Sequence, residues 1–365
     1  MSSRLIPEKK SLVARSVEVL REHIASGDWG TYLPPEVELA TRMQIGRNTL
    51  RRALSQLTTE GLIEEGCSGR RRRILSKPSS EAVPTSHPIY FLSPAQPDRY
   101  PPFVLRLIDE IRLLLHEAGY RLQPITCKAF QLNQPAKVLN RLVDQHPASA
   151  WILHCCNEPI QRYFSENQLP SVVLGMPYPD TALPSVSQQV AAATRHAAGM
   201  LLGKGHRRIC FLRVDQDLAG SLEMERGFHE AFEQRKEDPE IAPIVKSVSS
   251  DVPQICRTLD RLFQAKQPPT ALVVERVSHV PTIMTHLAQK GILVPQDLSL
   301  ITLFEDLVLN YLVPPVAHYR TDPRKEVKAL VTTLLTTIEH GIRQTSVKSH
   351  TPEFVPGESL GAPAK

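Results

Sequence analysis

Cysteines at the spacing of metal sites are missing from this sequence. Its six cysteines form no CxxC motif, and most of them lie inside apolar, strand-like segments. Zinc sites and disulfide frameworks need cysteines at close, regular spacings, so we expect neither. Reduced, buried thiols of this kind are typical of a cytoplasmic protein. We therefore predict a cytoplasmic protein with no metal site and no cofactor.

Long apolar runs are missing as well. No run of about 18 apolar residues, the length that could span a membrane, occurs in the chain. The opening MSSRLIPEKK is polar, and the apolar segment of a signal peptide does not follow it. We therefore expect neither membrane insertion nor export.

The short motifs of common enzyme sites are also missing. The sequence has no GxSxG, HExxH, P-loop or GxGxxG, each of which places a nucleophile, a metal or a phosphate in a defined turn or helix. We therefore do not expect an enzyme.

The chain has 365 residues, 41% of them hydrophobic, which allows two or three domains at about 150 residues each. Its positive charge is concentrated near the N-terminus. Residues 1–76 hold 13 Lys and Arg against 9 Asp and Glu, whereas the other residues carry a net charge of only +1. This asymmetry indicates an anionic partner for the N-terminal part.

Three segments with the spacing of amphipathic helices follow one another in residues 1–76. In the first, Val13, Val17, Leu20 and Ile24 recur at helical intervals, and the shorter EVELATRM follows after a turn. The third, GRNTLRRALSQL, has a stripe of leucines and alanine, with Asn and Arg side chains on the opposite face. Gly61 then stands where a left-handed residue ends a helix.

The segments LIEE and RRRRIL flank the turn-forming GCSG and predict a small hairpin that is rich in arginine. Three helices followed by a basic hairpin predict a winged helix-turn-helix domain over residues 1–76. The polar face of the third helix then suits DNA, because arginine can bond guanine bidentately and Thr or Asn can reach phosphates or adenine.

The same segment resembles the DNA-binding domain of the GntR family of bacterial regulators. LPPEVELA matches the family's LPSERELA, and IGRNTLRRAL matches its VSRTTVREAL. The resemblance places Arg47, Thr49 and Arg51 at DNA-contacting positions and Gly69 at the wing glycine. With the rest of the polar face and the arginine run, the candidate DNA-binding residues are Arg47, Asn48, Thr49, Arg51, Arg52, Gly69, Arg70, Arg71, Arg72 and Arg73.

Two positions depart from the family pattern. Val37 replaces an arginine that grips the DNA backbone in the family, and Gly46 replaces a Ser or Thr at the start of the recognition helix. One or two phosphate contacts of the family are therefore in question. Arg52 and the arginines of the wing are the candidates to replace them.

Residues 77–87 are rich in proline and serine and poor in apolar residues, as in an extended linker. From residue 88 to 365, short apolar runs such as IYFL, SAWILHC and RRICFL alternate with helical patterns. This βαβ repetition predicts an α/β domain with parallel sheets, built as two lobes with a cleft at the carboxyl ends of the strands.

Residues 88–361 resemble the effector domain of the LacI family and the related periplasmic sugar-binding proteins. AGMLLGKGHRRICFL, GFHEAF, PPTALVV and KGILVPQDLSLITLFED carry the resemblance. A GntR-type head joined to a LacI-type body implies a transcriptional regulator that responds to a small molecule. By position, the candidate ligand-binding residues are Ser93, Tyr100, Phe103, His154, Asn157, Glu275, Arg276 and Glu305.

The charged pair that usually holds a sugar in this family is missing. Met224 occupies the position of the arginine, and Val277 occupies that of the aspartate. A shift of register would bring Arg226, Glu275 or Arg276 to these positions instead.

These observations favour a homodimer, most simply a repressor, that binds a pseudo-palindromic operator in double-stranded DNA and is modulated by a small effector, sugar-related or not. One alternative is a regulator that has lost its ligand and acts constitutively. Another is a solute-binding receptor, which the body suits but which the DNA-binding head and the missing signal peptide argue against.

Overall fold

The computed structural model describes residues 12–26, 29, 32–64, 71–75, 88–233, 242–342 and 346–363. The chain divides into two compact units, Met1–Thr85 and Ser86–Lys365. The predicted linker, 77–87, lies outside the described residues, so its extended form stays a prediction.

The described residues of the first unit form three helices, α1 (Leu12–Ser26), α2 (Glu36–Arg42) and α3 (Arg47–Thr59). They form because each has an apolar face at helical spacing, and these faces meet in one core. Leu20, Leu39, Leu50 and Leu54 lie in this core and are almost completely buried. The helix order predicted from the sequence is therefore confirmed.

Helix α3 ends at a left-handed glycine, as predicted. Gly61 has φ 72°, its N–H donates to the carbonyl of Thr58, and the next N–H, of Leu62, donates to the carbonyl of Leu57. This paired arrangement satisfies the last carbonyls of the helix. It also directs the chain into the wing.

The described part of the wing pairs Ile63 with Ile74 in an antiparallel bridge, as expected for a hairpin. A further antiparallel bridge joins Tyr32 to Arg73, and the Leu33 N–H donates to the carbonyl of Arg72. The segment before α2 thus adds a third short strand to the wing. The sequence pattern did not predict this strand.

The part of the second unit that the structure describes forms two six-stranded sheets, which we call the N-lobe sheet and the C-lobe sheet. The N-lobe sheet has the order β11-β5-β4-β3-β1-β2, and the C-lobe sheet has the order β12-β10-β9-β8-β6-β7. In chain order the strands are β1 (Ile89–Leu92), β2 (Leu122–Ile125), β3 (Ala150–His154), β4 (Ser171–Leu174), β5 (Ser185–Gln188), β6 (Arg208–Val214), β7 (Ala242–Val248), β8 (Ala271–Val274), β9 (Ser299–Thr302), β10 (Ala317–Arg320), β11 (Val347–His350) and β12 (Glu353–Val355).

Neighbouring strands run parallel in both sheets, except that β12 is antiparallel to β10. Helices cover the sheets on both faces, as the continuous burial of the central strands requires. They are α4 (Pro102–Glu117), α5 (Ala136–Gln145), α6 (Glu158–Glu166), α7 (Val190–Gly203), α8 (Ala219–Glu233), α9 (Val252–Phe263), α10 (Val280–Gln289) and α11 (Pro323–His340). The predicted α/β class with parallel sheets is confirmed.

The chain passes between the two lobes three times. It leaves the N-lobe sheet after β5, returns after β10 through α11 and β11, and enters the C-lobe sheet again at β12. Helix α11 packs on the N-lobe through Val327, Leu330 and Leu334, beside residues of α4. Each lobe is therefore built from separated parts of the chain, whereas the sequence pattern suggested two consecutive halves.

Helices α7 and α8 approach each other very closely in the C-lobe. A Cβ added at Gly227 of α8 would lie 2.1 Å from the carbonyl oxygen of Ala191 in α7. This contact is possible only because residue 227 has no side chain.

Candidate DNA-binding surface and ligand cleft

The polar face of α3 is exposed in the first unit. Leu50, Ala53, Leu54 and Leu57 are buried, which turns the opposite face of the helix outward. Four of the five candidate DNA-binding residues on this helix are exposed, namely Arg47, Asn48, Arg51 and Arg52. The fifth, Thr49, is half-buried. The helix therefore presents long hydrogen-bond donors near its N-terminal end, as a recognition helix requires.

The start of α3 lacks a side-chain cap. Gly46 is the N-cap residue in an extended conformation, with φ −66° and ψ 147°, and it has no side chain that could bond to the first N–H groups of the helix. A helix N-terminus carries partial positive charge, which adds here to the charge of Arg47. Since Gly46 replaces a Ser or Thr, the first backbone N–H groups of α3 receive no cap from residue 46.

Glu36 at the start of α2 links the recognition helix to the wing. Its Oε2 accepts a hydrogen bond from Arg51 Nε at 3.2 Å, and its Oε1 accepts one from Arg72 Nη2 at 3.3 Å. Partial burial would raise the pKa of Glu36, but the hydrogen bonds and charges of the two arginines outweigh this effect and lower it. The carboxylate therefore stays charged and orients both guanidinium groups.

The arginines of the wing differ in their surroundings. Arg72 has only 19% of its side chain exposed, and its Nη1 also lies 3.5 Å from the hydroxyl oxygen of Thr58. Arg71 and Arg73 are exposed. The predicted contacts Gly69 and Arg70 lie outside the described residues. Of the described wing arginines, Arg71 and Arg73 are the ones that reach solvent freely, whereas Arg72 would have to leave Glu36 to meet a phosphate.

In the second unit, three candidate ligand residues lie together at the carboxyl edge of the N-lobe sheet. Ser93 follows β1, and its hydroxyl lies 3.4 Å from Nδ1 of His154, the last residue of β3. The His154 ring stacks on Phe91, with 5.2 Å between ring centroids. Tyr100 packs edge-on against the same Phe91 ring. These contacts bring Ser93, Tyr100 and His154 into one cluster.

Asn157 serves the fold in this structure. It is the N-cap of α6, and its side-chain oxygen accepts a hydrogen bond from the Ile160 N–H at 3.3 Å. This is the ordinary role of asparagine at the start of a helix.

Glu275 in the C-lobe is buried and bound to its own chain. Its carboxylate accepts hydrogen bonds from the Val214 N–H at 2.7 Å and from the Ser221 hydroxyl at 2.5 Å. Burial raises the pKa of Glu275, although these hydrogen bonds and the charges of Arg213 and Arg276 oppose the shift. The carboxylate thus ties the end of β6 to α8, and the half-buried Arg276 follows it in sequence.

Met224, Val277 and Arg226 supply no charged pair to the cleft. Met224 and Val277 are buried in the apolar cores of the C-lobe. Arg226 is exposed on α8 and pairs with Glu223 and Glu230. The sequence-based suggestion that Arg226 could enter the cleft by a shift of register is therefore not supported by its position.

Arg213 at the end of β6 is a buried arginine that the sequence did not single out. Its guanidinium donates to Asp217 at 2.7 Å and to Glu225 at 2.9 Å. Its charge is therefore neutralised inside the C-lobe. The only signal in the sequence was a charged residue at the end of an apolar strand.

Phe103 and Glu305 line a cavity of about 200 Å³ that is formed by residues of both lobes. Helix α4 contributes Pro102, Phe103 and Arg106, and the segment after β9 contributes Glu305, Asp306, Leu307 and Asn310. The cavity combines one cation, two carboxylates and an amide with an apolar wall. Charged groups of both signs beside an apolar wall suit a small charged molecule with an apolar face.

Within the described ranges, no helix is long and apolar enough to cross a membrane. The same part of the chain has no group of three or more His, Cys, Asp or Glu residues that could hold a metal ion.

Comparisons with known proteins agree with this geometry. Residues 12–66 match the gntR family of bacterial regulatory proteins, and residues 181–360 match the periplasmic binding protein-like domain. The arabinose metabolism transcriptional repressor of Geobacillus stearothermophilus is 26% identical over 282 residues, which cover 74% of each chain. The repressor PurR of Vibrio atlanticus (strain LGP32) is 21% identical over 257 residues, covering 69% of this chain and 76% of PurR.

Solved structures share the fold of the second unit. A LacI family transcriptional regulator from Bifidobacterium animalis subsp. lactis DSM 10140 has a TM-score of 0.64 at 18% identity and covers 76% of this chain and 98% of its own. A LacI family regulator from Enterococcus faecium with bound ribose has a TM-score of 0.60 at 16% identity, covering 75% and 98%. The chain is a transcriptional regulator that joins a gntR-family DNA-binding domain to a periplasmic binding protein-like domain.

Proposed function

We propose that this regulator acts in the cytoplasm as a homodimer that binds a pseudo-palindromic operator in double-stranded DNA. The observation that carries the proposal is the exposed donor face of α3, opposite its buried leucine stripe. One recognition helix reads only half a site, so two heads must lie about one helical turn, roughly 34 Å, apart on the DNA, or a multiple of that distance.

Within this surface we assign different roles to the helix and the wing. Arg51, held by Glu36, is the candidate for a base contact in the major groove, together with Asn48 and Thr49. Arg47, Arg52, Arg71 and Arg73 are exposed and are the candidates for phosphate contacts, which position the protein without reading sequence. Arg72 supports Glu36 from the wing side.

Substitution of Arg51 tests this assignment. Arg51→Ala is expected to weaken binding to the preferred operator by about 1–3 kcal/mol and to relax sequence preference, because a bidentate base contact is lost. The measurement is the dissociation constant for an operator selected from a random duplex pool and for a random duplex. Arg112→Ala, which removes an exposed arginine from α4 in the other unit, is the charge-matched control.

Arg73→Ala provides the contrast. A lost phosphate contact should weaken operator and random duplex alike and lower the slope of log K against log salt by about 0.9. Equal, sequence-blind losses for Arg51→Ala and Arg73→Ala would show that the recognition helix has been misplaced.

The dimer contact is proposed for the second unit. The turn after β9 exposes three large apolar side chains, Leu307, Tyr311 and Val313, with 55%, 83% and 90% of their surfaces accessible. Apolar side chains grouped in this way mark interaction surfaces, and a second copy of the chain supplies a self-complementary partner.

Sedimentation is expected to show a dimer at micromolar concentration. Tyr311→Glu is expected to shift the protein towards monomer, because a charge would be buried in the contact. Leu222→Glu, at an exposed position of α8, is the control and should leave the dimer intact. A monomeric wild-type protein that binds DNA one head at a time would contradict the proposal.

For the effector, we propose a small molecule held in the cleft of the second unit. The relatives include a repressor of arabinose metabolism and a structure with bound ribose. A neutral sugar is not the candidate that the cleft of this chain favours, because Met224 and Val277 offer no polar partner and Glu275 is bound to its own chain. The same observations favour, as a second candidate, a regulator that has no effector and binds DNA constitutively. A ligand screen by thermal shift would distinguish this candidate from a regulator that binds an effector.

A further inference from the structure

Cys155 places a thiol at the carboxyl edge of the N-lobe sheet. It follows β3 directly, is exposed, and has φ 50°, a left-handed conformation that residues with side chains rarely adopt. The charges of Arg276 and Glu275, which directly follow β8 in the C-lobe, act on this thiol. None of the sequence motifs accounts for a thiol at this position.

His154 is fixed beside this thiol. Its Nε2 lies 3.6 Å from Cys155 Sγ, while Nδ1 lies 3.4 Å from the Ser93 hydroxyl and the ring stacks on Phe91. Contacts on the ring face and at both nitrogens leave it little freedom to turn away. The pair has the geometry in which an imidazole can take the proton of a thiol.

The electrostatics favour the charged form of the pair. Although the residue as a whole is exposed, the protein packed around its sulfur atom would raise the pKa of the Cys155 thiol. The charge and hydrogen bond of His154 and the charge of Arg276 outweigh this effect and lower the pKa below its usual value. Burial would lower the pKa of His154, but Cys155 and the carboxylate of Glu326 raise it. Both shifts favour a thiolate beside an imidazolium, and thiolate is the reactive form of cysteine.

A second observation indicates that the site accepts a ligand. The hydroxyl of Tyr100 is buried and lies beside the Ser93 hydroxyl, but it makes no hydrogen bond of good geometry, and its ring lies against Phe91. Burial raises the pKa of Tyr100 while the Ser93 hydroxyl opposes the shift, which places the tyrosine beside the serine that contacts His154. A buried donor without a partner is unusual, and an oxygen of a bound molecule would satisfy it.

We propose that Cys155 is oxidised by a hydroperoxide and that this oxidation is a signal to which the regulator responds, an inference that rests on the proposed function. A hydroperoxide needs a thiolate with an acid nearby, which Cys155 and His154 supply. Ser93 and Tyr100 lie on the other side of the His154 ring, at Nδ1. Binding of a hydroperoxide does not require the charged pair that usually holds a sugar in the LacI family.

The reaction balances with groups at the site. The thiolate sulfur of Cys155 attacks one peroxide oxygen, the S–O bond forms and the O–O bond breaks. The leaving oxygen takes the proton from Nε2 of the His154 imidazolium, so hydrogen peroxide yields sulfenic acid and water. The sulfur loses two electrons and the peroxide gains them.

The test treats the full-length protein with hydrogen peroxide and maps sulfenic acid by mass spectrometry after trapping with a cyclic dione. Cys155 is expected to react at least about tenfold faster than the half-buried Cys127 and Cys256, since reactivity follows thiolate character and exposure. His154→Gln should slow Cys155 by about tenfold or more for the same reason. His116→Gln, at an exposed position on α4, is the control and should not slow it. Equal rates at Cys155 and Cys256, or no effect of His154→Gln, would overturn the proposal.

The proposed signalling role is tested separately, by measuring DNA binding. Binding to DNA selected by the reduced protein is measured before and after oxidation, with Cys155→Ser as the variant that should not respond to peroxide. Oxidised and reduced wild-type protein with the same affinity would overturn the signalling role. A reduced protein that selects no DNA sequence would instead overturn the proposed function, while oxidation of Cys155 would still be measurable.

Discussion

Arabinose, ribose and other unmodified neutral monosaccharides are expected to bind this regulator weakly or not at all. A sugar hydroxyl buried without a partner costs about 1–3 kcal/mol, so the loss of two partners weakens binding by about two to four powers of ten. The measurement is isothermal calorimetry on the full-length protein. An affinity in the micromolar range or tighter would contradict this expectation.

The physical reason lies in the C-lobe side of the cleft. Met224 and Val277 are packed into apolar cores and cannot turn a polar atom towards a ligand. Glu275 already accepts hydrogen bonds from Val214 and Ser221. If a monosaccharide nevertheless binds tightly, Glu275→Ala and Arg276→Ala would show whether these two residues supply the polar contacts.

Gly227→Ala is expected to destabilise the second unit severely. The new methyl group would lie 2.1 Å from the Ala191 carbonyl oxygen, which is backbone and cannot turn aside. Helices α7 and α8 would have to move apart within a close-packed lobe, at a cost of about 3 kcal/mol or more. Urea unfolding followed by circular dichroism measures this change.

Gly199→Ala is the matched control for this substitution. Gly199 also lies inside a helix, α7, but a Cβ at this position meets nothing within 4 Å. Alanine there should raise stability by about 0.5–1 kcal/mol, because glycine is the poorer helix former. Similar effects of the two substitutions would show that α7 and α8 are not in close contact.

In the first unit, the sequence predicted the three helices because their core residues recur at short, regular intervals. It did not predict the strand at Tyr32, because turn-forming residues surround it and its partner, Arg73, is far away in sequence. The role of Glu36 was hidden for the same reason. A carboxylate in the first turn of a helix is common, and only the fold brings it between Arg51 and Arg72.

In the second unit, the apolar strands and the α/β class followed from the sequence because buried parallel strands form continuous apolar runs. The edge strand β11 did not, since its residues are mostly exposed and show no such run. The return of α11 to the N-lobe was also missed. Its apolar face fits either lobe by pattern, and only its packing beside α4 decides between them.

The ligand residues were the least predictable part. Ser93, Tyr100 and His154 were named by position, and the structure brings them into contact. Asn157 was named by the same reasoning but caps a helix. Cys155 was overlooked, because a second thiol follows it and nothing in the sequence distinguishes the exposed one from the buried one.

The three passages of the chain between the lobes also bear on the order in which the protein can form during its synthesis. The helices of the first unit end by residue 59, so this unit can fold early. The N-lobe starts at β1 but needs α11 and β11, and the C-lobe needs β12. Domains fold as their residues leave the ribosome, so both lobes remain incomplete until after residue 346 has emerged. A partly made chain therefore has a finished DNA-binding head while its ligand-binding body still exposes apolar surface to chaperones.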